Sequence, residues 1–280
     1  MKKLKKAKDV FYIEQALSKR VNKPESRVDK SLEISREWMK NDGLLAFKDD
    51  SNLLLLQLGE ENEPLLVSGD DAYSQFTFVK NIVKGYSSHH KMLVFSQKTI
   101  NSFSTSKATV TSLGSYEPLI DGIHQFLNGK LQCLEIDVSD YRQIKHNDER
   151  TVFMLVSLLV GLKTNITGSR FLIVDSNIID DSLMETLQSL IRTMREHNII
   201  IVIYGTGDSL ERFITSPLTQ DIILTRTECK ASLPHSLRMK FEKQAKMDLS
   251  KLKEDEVVYL NEDEMKILTY LKWEDENHVK

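Results

Sequence analysis

The segment Leu65-Leu66-Val67-Ser68-Gly69-Asp70-Asp71-Ala72-Tyr73-Ser74-Gln75-Phe76-Thr77-Phe78-Val79-Lys80-Asn81 has the order strand, tight loop, helix. In that place a loop that cradles nucleotide phosphates reads glycine, four residues, glycine, lysine, then serine or threonine. Its backbone amides receive the phosphates, the lysine meets the outer ones, and the hydroxyl binds magnesium. Counted from Gly69, the second glycine is Ser74, the lysine is Gln75 and the hydroxyl is Phe76. Thr77 offers a hydroxyl only if the loop register shifts by one residue. Tyr73 and Ser74 bring side chains into the space the phosphates need. Asp70 and Asp71 add like charge there, opposing a triphosphate by on the order of 4 kcal/mol each at ~4 Å and an effective dielectric of about 20, before screening. The plainer reading of the same residues is a strand-to-helix turn capped by Ser68, Asp70 or Asp71.

A second segment, Arg170-Phe171-Leu172-Ile173-Val174-Asp175-Ser176, has four apolar residues followed by an acid. In a working nucleoside triphosphatase Asp175 would hold magnesium-bound water, and the next position would be the carboxylate that orients the attacking water. Here that position is Ser176. The alternative for Asp175 is a capping aspartate at a strand end. Gly205-Thr206-Gly207-Asp208 follows another apolar run, and Thr206 with Asp208 reads as a helix-start cap. Catalytic residues, a metal site and tight ATP or magnesium binding are therefore not expected. The seven histidines include no His-Glu-x-x-His spacing, and no Gly-x-Ser-x-Gly elbow occurs. Two cysteines, Cys133 and Cys229, are too few for a disulfide framework or a cysteine zinc site, which suits a reducing, cytoplasmic setting.

The elements that must position these residues are legible as alternating periods. Apolar runs of strand length lie at Leu53–Leu58, Leu65–Ser68, Met92–Ser96, Thr109–Leu113, Phe171–Asp175, Ile199–Tyr204 and Ile222–Leu224. Their Val, Ile and Leu content with little alternation predicts strands buried on both faces. Segments 74–86, 117–128, 149–163, 181–197 and 208–215 have helical period. Strand and helix in alternation predict an α/β fold, a mainly parallel sheet with helices on both faces and a functional edge at the strands' carboxyl ends. Residues 256–260 and 265–271 flank Asn261-Glu262-Asp263-Glu264 as a closing β-hairpin.

The expected organisation is a basic linker with a short amphipathic helical lead-in over 1–42, one domain over 43–271, and a polar tail over 272–280. The longest apolar run, Val152 to Leu162, falls short of the about 20 residues that span a bilayer. With 38 basic and 41 acidic residues the net charge is −3, which gives no global reason to bind nucleic acid.

Taken in order, Leu53-Leu54-Leu55-Leu56-Gln57-Leu58-Gly59, Pro64-Leu65-Leu66-Val67-Ser68-Gly69, Phe78-Val79-Lys80-Asn81, Phe171-Leu172-Ile173-Val174-Asp175, the helix Leu183–Arg195, Ile200-Ile201-Val202-Ile203-Tyr204-Gly205 and the closing hairpin resemble the ATPase modules of the FtsK/SpoIIIE group. More closely, the chain is similar to the degenerate C-terminal module of the membrane-anchored coupling protein of type VII (VIIb) secretion, the EssC or YukBA kind. The resemblance spans roughly residues 40–271 as a series of short motifs. It implies a RecA-like P-loop NTPase fold. It also implies a non-catalytic role: binding exported helical-hairpin proteins or regulating neighbouring ATPase modules of the same motor. The membrane would then be reached only through a parent protein. In that family the strand end at Thr206 senses the nucleotide's outer phosphate. The alternative function is a residual nucleoside triphosphatase, a DNA or protein translocase subunit using Asp175 and Thr77.

Overall fold

The computed structural model of the chain describes residues 5–6, 44–49, 52–58, 63–70, 72–86, 90–96, 109–111, 121–122, 124–126, 128–137, 170–179, 181–193, 199–214, 220–244, 247–261 and 264–270. The lead-in over 31–39, the helix over 149–163, half of the run at 117–128, Asp71 and the 272–280 tail lie outside the described residues.

The strands are β1 (Lys5–Lys6), β2 (Leu44–Asp49), β3 (Asn52–Gln57), β4 (Leu65–Ser68), β5 (Lys91–Ser96), β6 (Thr109–Thr111), β7 (Cys133–Asp137), β8 (Arg170–Asp175), β9 (Ile199–Gly205), β10 (Ile222–Leu224), β11 (Glu256–Leu260) and β12 (Met265–Tyr270). They form one sheet in the order β1-β3-β2-β12-β11-β10-β4-β9-β8-β5-β7-β6. From β10 to β6 every pairing is parallel. From β10 back to β1 every pairing is antiparallel. Among the described residues the helices that flank the site are α1 (Ala72–Tyr86), α2 (Asp181–Thr193), α3 (Gly207–Glu211) and α4 (His235–Gln244).

The central strands β4, β5 and β9 are buried along their whole length. Alternate side chains feed two cores, one on each face. Leu65 and Val67 of β4, with Ile200 and Val202 of β9, pack under α1 through Phe76, Phe78, Val79, Ile82, Val83 and Tyr86. Leu66, Ile201 and Ile203 face the other way, toward Leu183, Met184 and Leu187 of α2, Leu210 of α3 and Leu237 of α4. A strand covered on both faces needs apolar residues at every position, which is why these runs lack alternation. The first core also carries aromatic contacts, with Phe78 edge-on to Tyr270 at 5.1 Å between centroids and Tyr86 stacked on Phe171 at 4.7 Å.

Strand β7 and helix α4 escape the sequence reading. Strand β7 contains Glu135, which is 4% exposed and accepts a hydrogen bond from Ser96 Oγ at 3.1 Å. That internal partner lets a carboxylate sit where the pattern demands an apolar residue. Helix α4 is polar and anchors itself in the core through Leu237. The helix expected over 208–215 is the shorter α3, because the chain turns at Arg212 and Phe213.

Candidate functional site

Because β4, β8, β9 and β10 run parallel, their carboxyl ends meet at one edge. Ser68 is paired with Gly205 on one side and Leu224 on the other, and Asp175 with Tyr204. The helix after β4 packs on one face of the sheet and the helix after β9 on the opposite face. The chain therefore parts between these adjacent strands, and such a parting is where open α/β sheets bind ligands. Ser68, Gly69, Asp70, Gln75, Asp175, Ser176 and Thr206 are gathered along this edge.

The phosphate-loop position is filled from within. Gln75 is 3% exposed and its Nε2 donates to the carbonyl of Gly69. The side chain that would be a phosphate-binding lysine is folded back onto its own loop. From the other side comes the segment after β10. Thr225 donates its amide to the Ser68 carbonyl at 2.8 Å, and Arg226 follows. A Cβ at position 69 would lie 2.3 Å from Thr225 Oγ1, 3.3 Å from the Arg226 carbonyl and 3.5 Å from Gln75 Cγ. Packing against Thr225 is thus sufficient reason for a glycine at 69, with no phosphate required. Asp70 does not cap α1. One of its carboxylate oxygens accepts from the amide of Cys229, holding the same segment down.

Phe76 is 5% exposed and belongs to the core beneath α1, with Lys80 Nζ 5.7 Å from its ring centroid. The loop-facing position is Gln75, so the register shift that would recruit Thr77 has not occurred; Thr77 and Ser74 are half-buried on α1. Tyr73 is 60% exposed. The side chain that bonds the loop carbonyl is Gln75.

Asp175 is a capping aspartate. Its Oδ1 accepts from the amide and from Nδ2 of Asn177, both at 2.9 Å, and starts a 3-10 turn over Ser176–Ile178. Ser176, 1% exposed, lies 2.6 Å from Ser209 Oγ. Ser209 donates its single proton to the Thr206 carbonyl at 2.7 Å, so Ser176 must be the donor to Ser209. The position where a water-orienting carboxylate would stand is therefore tied into the start of α3. A Cβ on Gly205 would fall 1.9 Å from Ser176 Oγ, so Ser176 leaves no room for a side chain at 205. Thr206 occupies the N-cap position of α3, as its sequence suggests, but its side chain makes no capping hydrogen bond. Arg212 completes the tie, reaching the Ile179 carbonyl at 2.7 Å and Asp181 at 3.1 Å.

No cation stands at 75 and no hydroxyl at 76, and the carbonyl of Gly69 already has a donor. Among the described residues no group of three His, Cys, Asp or Glu side chains gathers to hold a metal. Thr225, Ser209 and the Cys229 amide are parts of the site that sequence reasoning missed. Thr225-Arg226-Thr227 directly follows the strand Ile222–Leu224, and a polar run at the end of a central strand was the available signal.

The strand order, with one strand between the phosphate-loop strand and the acid-bearing strand, and the helices on both faces are those of a RecA-like α/β fold. The chain is similar to ATPases 2 and 3 of EssC from Geobacillus thermodenitrificans, at 11% identity and a TM-score of 0.47, covering 82% of this chain and 44% of that one. It is similar to the pCW3 conjugation coupling protein TcpA, a monomer form with ATPγS, at 10% identity and a TM-score of 0.45, covering 85% and 68%. It is also similar to the cytoplasmic domain of EssC, at 13% identity and a TM-score of 0.41, covering 84% and 46%. The chain spans less than half the length of either EssC chain. No protein-family model and no curated protein matches the sequence. Among the described residues no helix is long and apolar enough to cross a membrane.

Proposed function

We propose that this chain is an ATPase-like module of a type VII protein-secretion motor that does not itself hydrolyse nucleotide. It binds exported helical-hairpin proteins or regulates neighbouring ATPase modules, on the cytoplasmic side of a membrane reached through its parent protein. A module of this kind takes an amphipathic helix through apolar anchors spaced along one helix face. It needs neither ATP nor magnesium, and nucleic acid is not among its partners.

The observation that carries this reading is the occupant of the phosphate loop. Gln75 hydrogen-bonds the Gly69 carbonyl from inside, and Asp175 spends its Oδ1 on the turn that follows it. The secretion context rests on the sequence resemblance in the segments around Gly69, Asp175 and Gly205.

The test is genetic and has two arms. Deleting the chain from the secretion motor stops export of its helical-hairpin proteins. Asp175→Asn keeps an oxygen for the Asn177 amide but removes the charge a magnesium site requires, and it leaves export unchanged. Export that survives the deletion, or that is lost with Asp175→Asn at normal protein levels, contradicts the proposal.

A further inference from the structure

The segment Thr225–Cys229 is the least explained part of the carboxyl edge. It runs over the phosphate-loop position, held at one end by the Thr225 amide on the Ser68 carbonyl and at the other by the Cys229 amide on Asp70. Between them, Thr227 Oγ1 donates to the Thr225 carbonyl at 3.0 Å and the Thr227 amide reaches the Leu249 carbonyl at 3.3 Å. Closure has a cost. Ser68 Oγ and the Oδ1 oxygen of Asp70 are both buried with no hydrogen-bond partner. A buried polar atom without a partner forfeits the water it would otherwise bond, so these two oxygens favour any state that lets water in.

We propose that Thr225–Cys229 is a strap that shuts the carboxyl edge and opens as a unit, with the Asp70–Cys229 clasp holding it closed and the two unpaired oxygens biasing it open. The inference rests on the reading of this edge as a filled nucleotide site and adds the element that controls access to it. The clasp is one hydrogen bond, donated by the Cys229 amide to a carboxylate oxygen at the rim of the edge. Ser68, by contrast, is 1% exposed beneath the strap. Asp70 carries the clasp as well as an unpaired oxygen, and loss of the clasp outweighs loss of that oxygen, whereas Ser68 contributes an unpaired oxygen alone. Removing one polar group loosens the strap, and removing the other tightens it.

Amide hydrogen exchange on the full chain reads this directly. In Asp70→Ala the amides of Thr225 and Cys229 exchange at least about tenfold faster than in the unsubstituted chain, while the core amide of Val202 in β9 is unchanged. In Ser68→Ala the same two amides exchange about threefold slower, because the closed state no longer buries an unpaired hydroxyl. If both substitutions accelerate exchange, or if Ser68→Ala leaves it unchanged, the strap is not poised as described. Should Asp70→Ala fail to fold, Ser68→Ala decides the matter by its sign alone. Tight binding of ATP and magnesium to the unsubstituted chain would overturn the filled-site reading instead, and exchange rates measured without nucleotide separate the two failures.

Discussion

The two ends of strands β4 and β10 are both closed by buried polar side chains, and they are closed in different ways. At the amino end, Tyr259 donates to Asp221 at 2.6 Å and accepts from Asn261 Nδ2 at 2.7 Å. Asn261 in turn receives the Glu264 amide on Oδ1 at 2.8 Å and Lys240 Nζ on its carbonyl at 2.6 Å, and Gln220 donates to the Phe213 carbonyl at 2.6 Å. Through Tyr259 and Asn261 this network ties Asp221, just before β10, to the turn of the closing hairpin. At the carboxyl end the residues are short or folded back: Gln75 on its own loop, Ser176 on Ser209, Thr225 over Gly69. Two oxygens, on Ser68 and Asp70, are left without partners. The amino end has the economy of a part built only to hold the fold. The carboxyl end has the shape of a ligand site in which the chain supplies what a ligand would.

That contrast can be broken by substitution. The largest effect is expected for Phe76→Thr, which restores the metal-binding hydroxyl type but empties a core position, and costs about 4 kcal/mol by chemical denaturation. Combined with Gln75→Lys it yields no measurable ATP hydrolysis, because Ser176 and the Thr225 segment still obstruct the edge. Gly205→Ala follows at about 3 kcal/mol, since its Cβ overlaps Ser176 Oγ. Adding Ser176→Gly recovers part of that loss, which identifies the overlap as the cause.

Tyr259→Phe tests the amino end. It removes the donor to the buried Asp221 and lowers stability by about 2 kcal/mol. Burial, with the nearby Asp221 charge, raises the Tyr259 pKa above the usual tyrosine value. The unfolded chain therefore ionises first, near pH 10, and binds fewer protons than the folded one above that point. The stabilisation is whole below about pH 10 and is lost as pH rises beyond it, and Tyr259→Phe makes that alkaline fall shallower in a urea titration series. The smallest effect is at the carboxyl end. Ser209→Ala strips Ser176 of its acceptor and costs about 1 kcal/mol by the same measurement.

Much of this architecture is legible in the sequence. Runs such as Ile199–Tyr204 declare themselves because both faces of a central parallel strand are buried, and Gly69, Asp175 and Gly205 mark strand ends at one edge. Strand β7 was hidden by Glu135, whose partner Ser96 lies on a neighbouring strand far away in the chain. The losses at Gln75 and Phe76 were also readable, but their consequence was not. A sequence shows that a lysine is missing; only three dimensions show that the glutamine in its place bonds the Gly69 carbonyl. Thr225 left no more trace than the polar run after Leu224, since its relation to Ser68 spans 157 residues.

The central claim is that the chain's own side chains occupy the nucleotide position. Calorimetric titration of the full chain with ATP and magnesium tests it most directly. The account predicts no binding with a Kd in the micromolar range. Micromolar binding that is abolished by Asp175→Asn would contradict it.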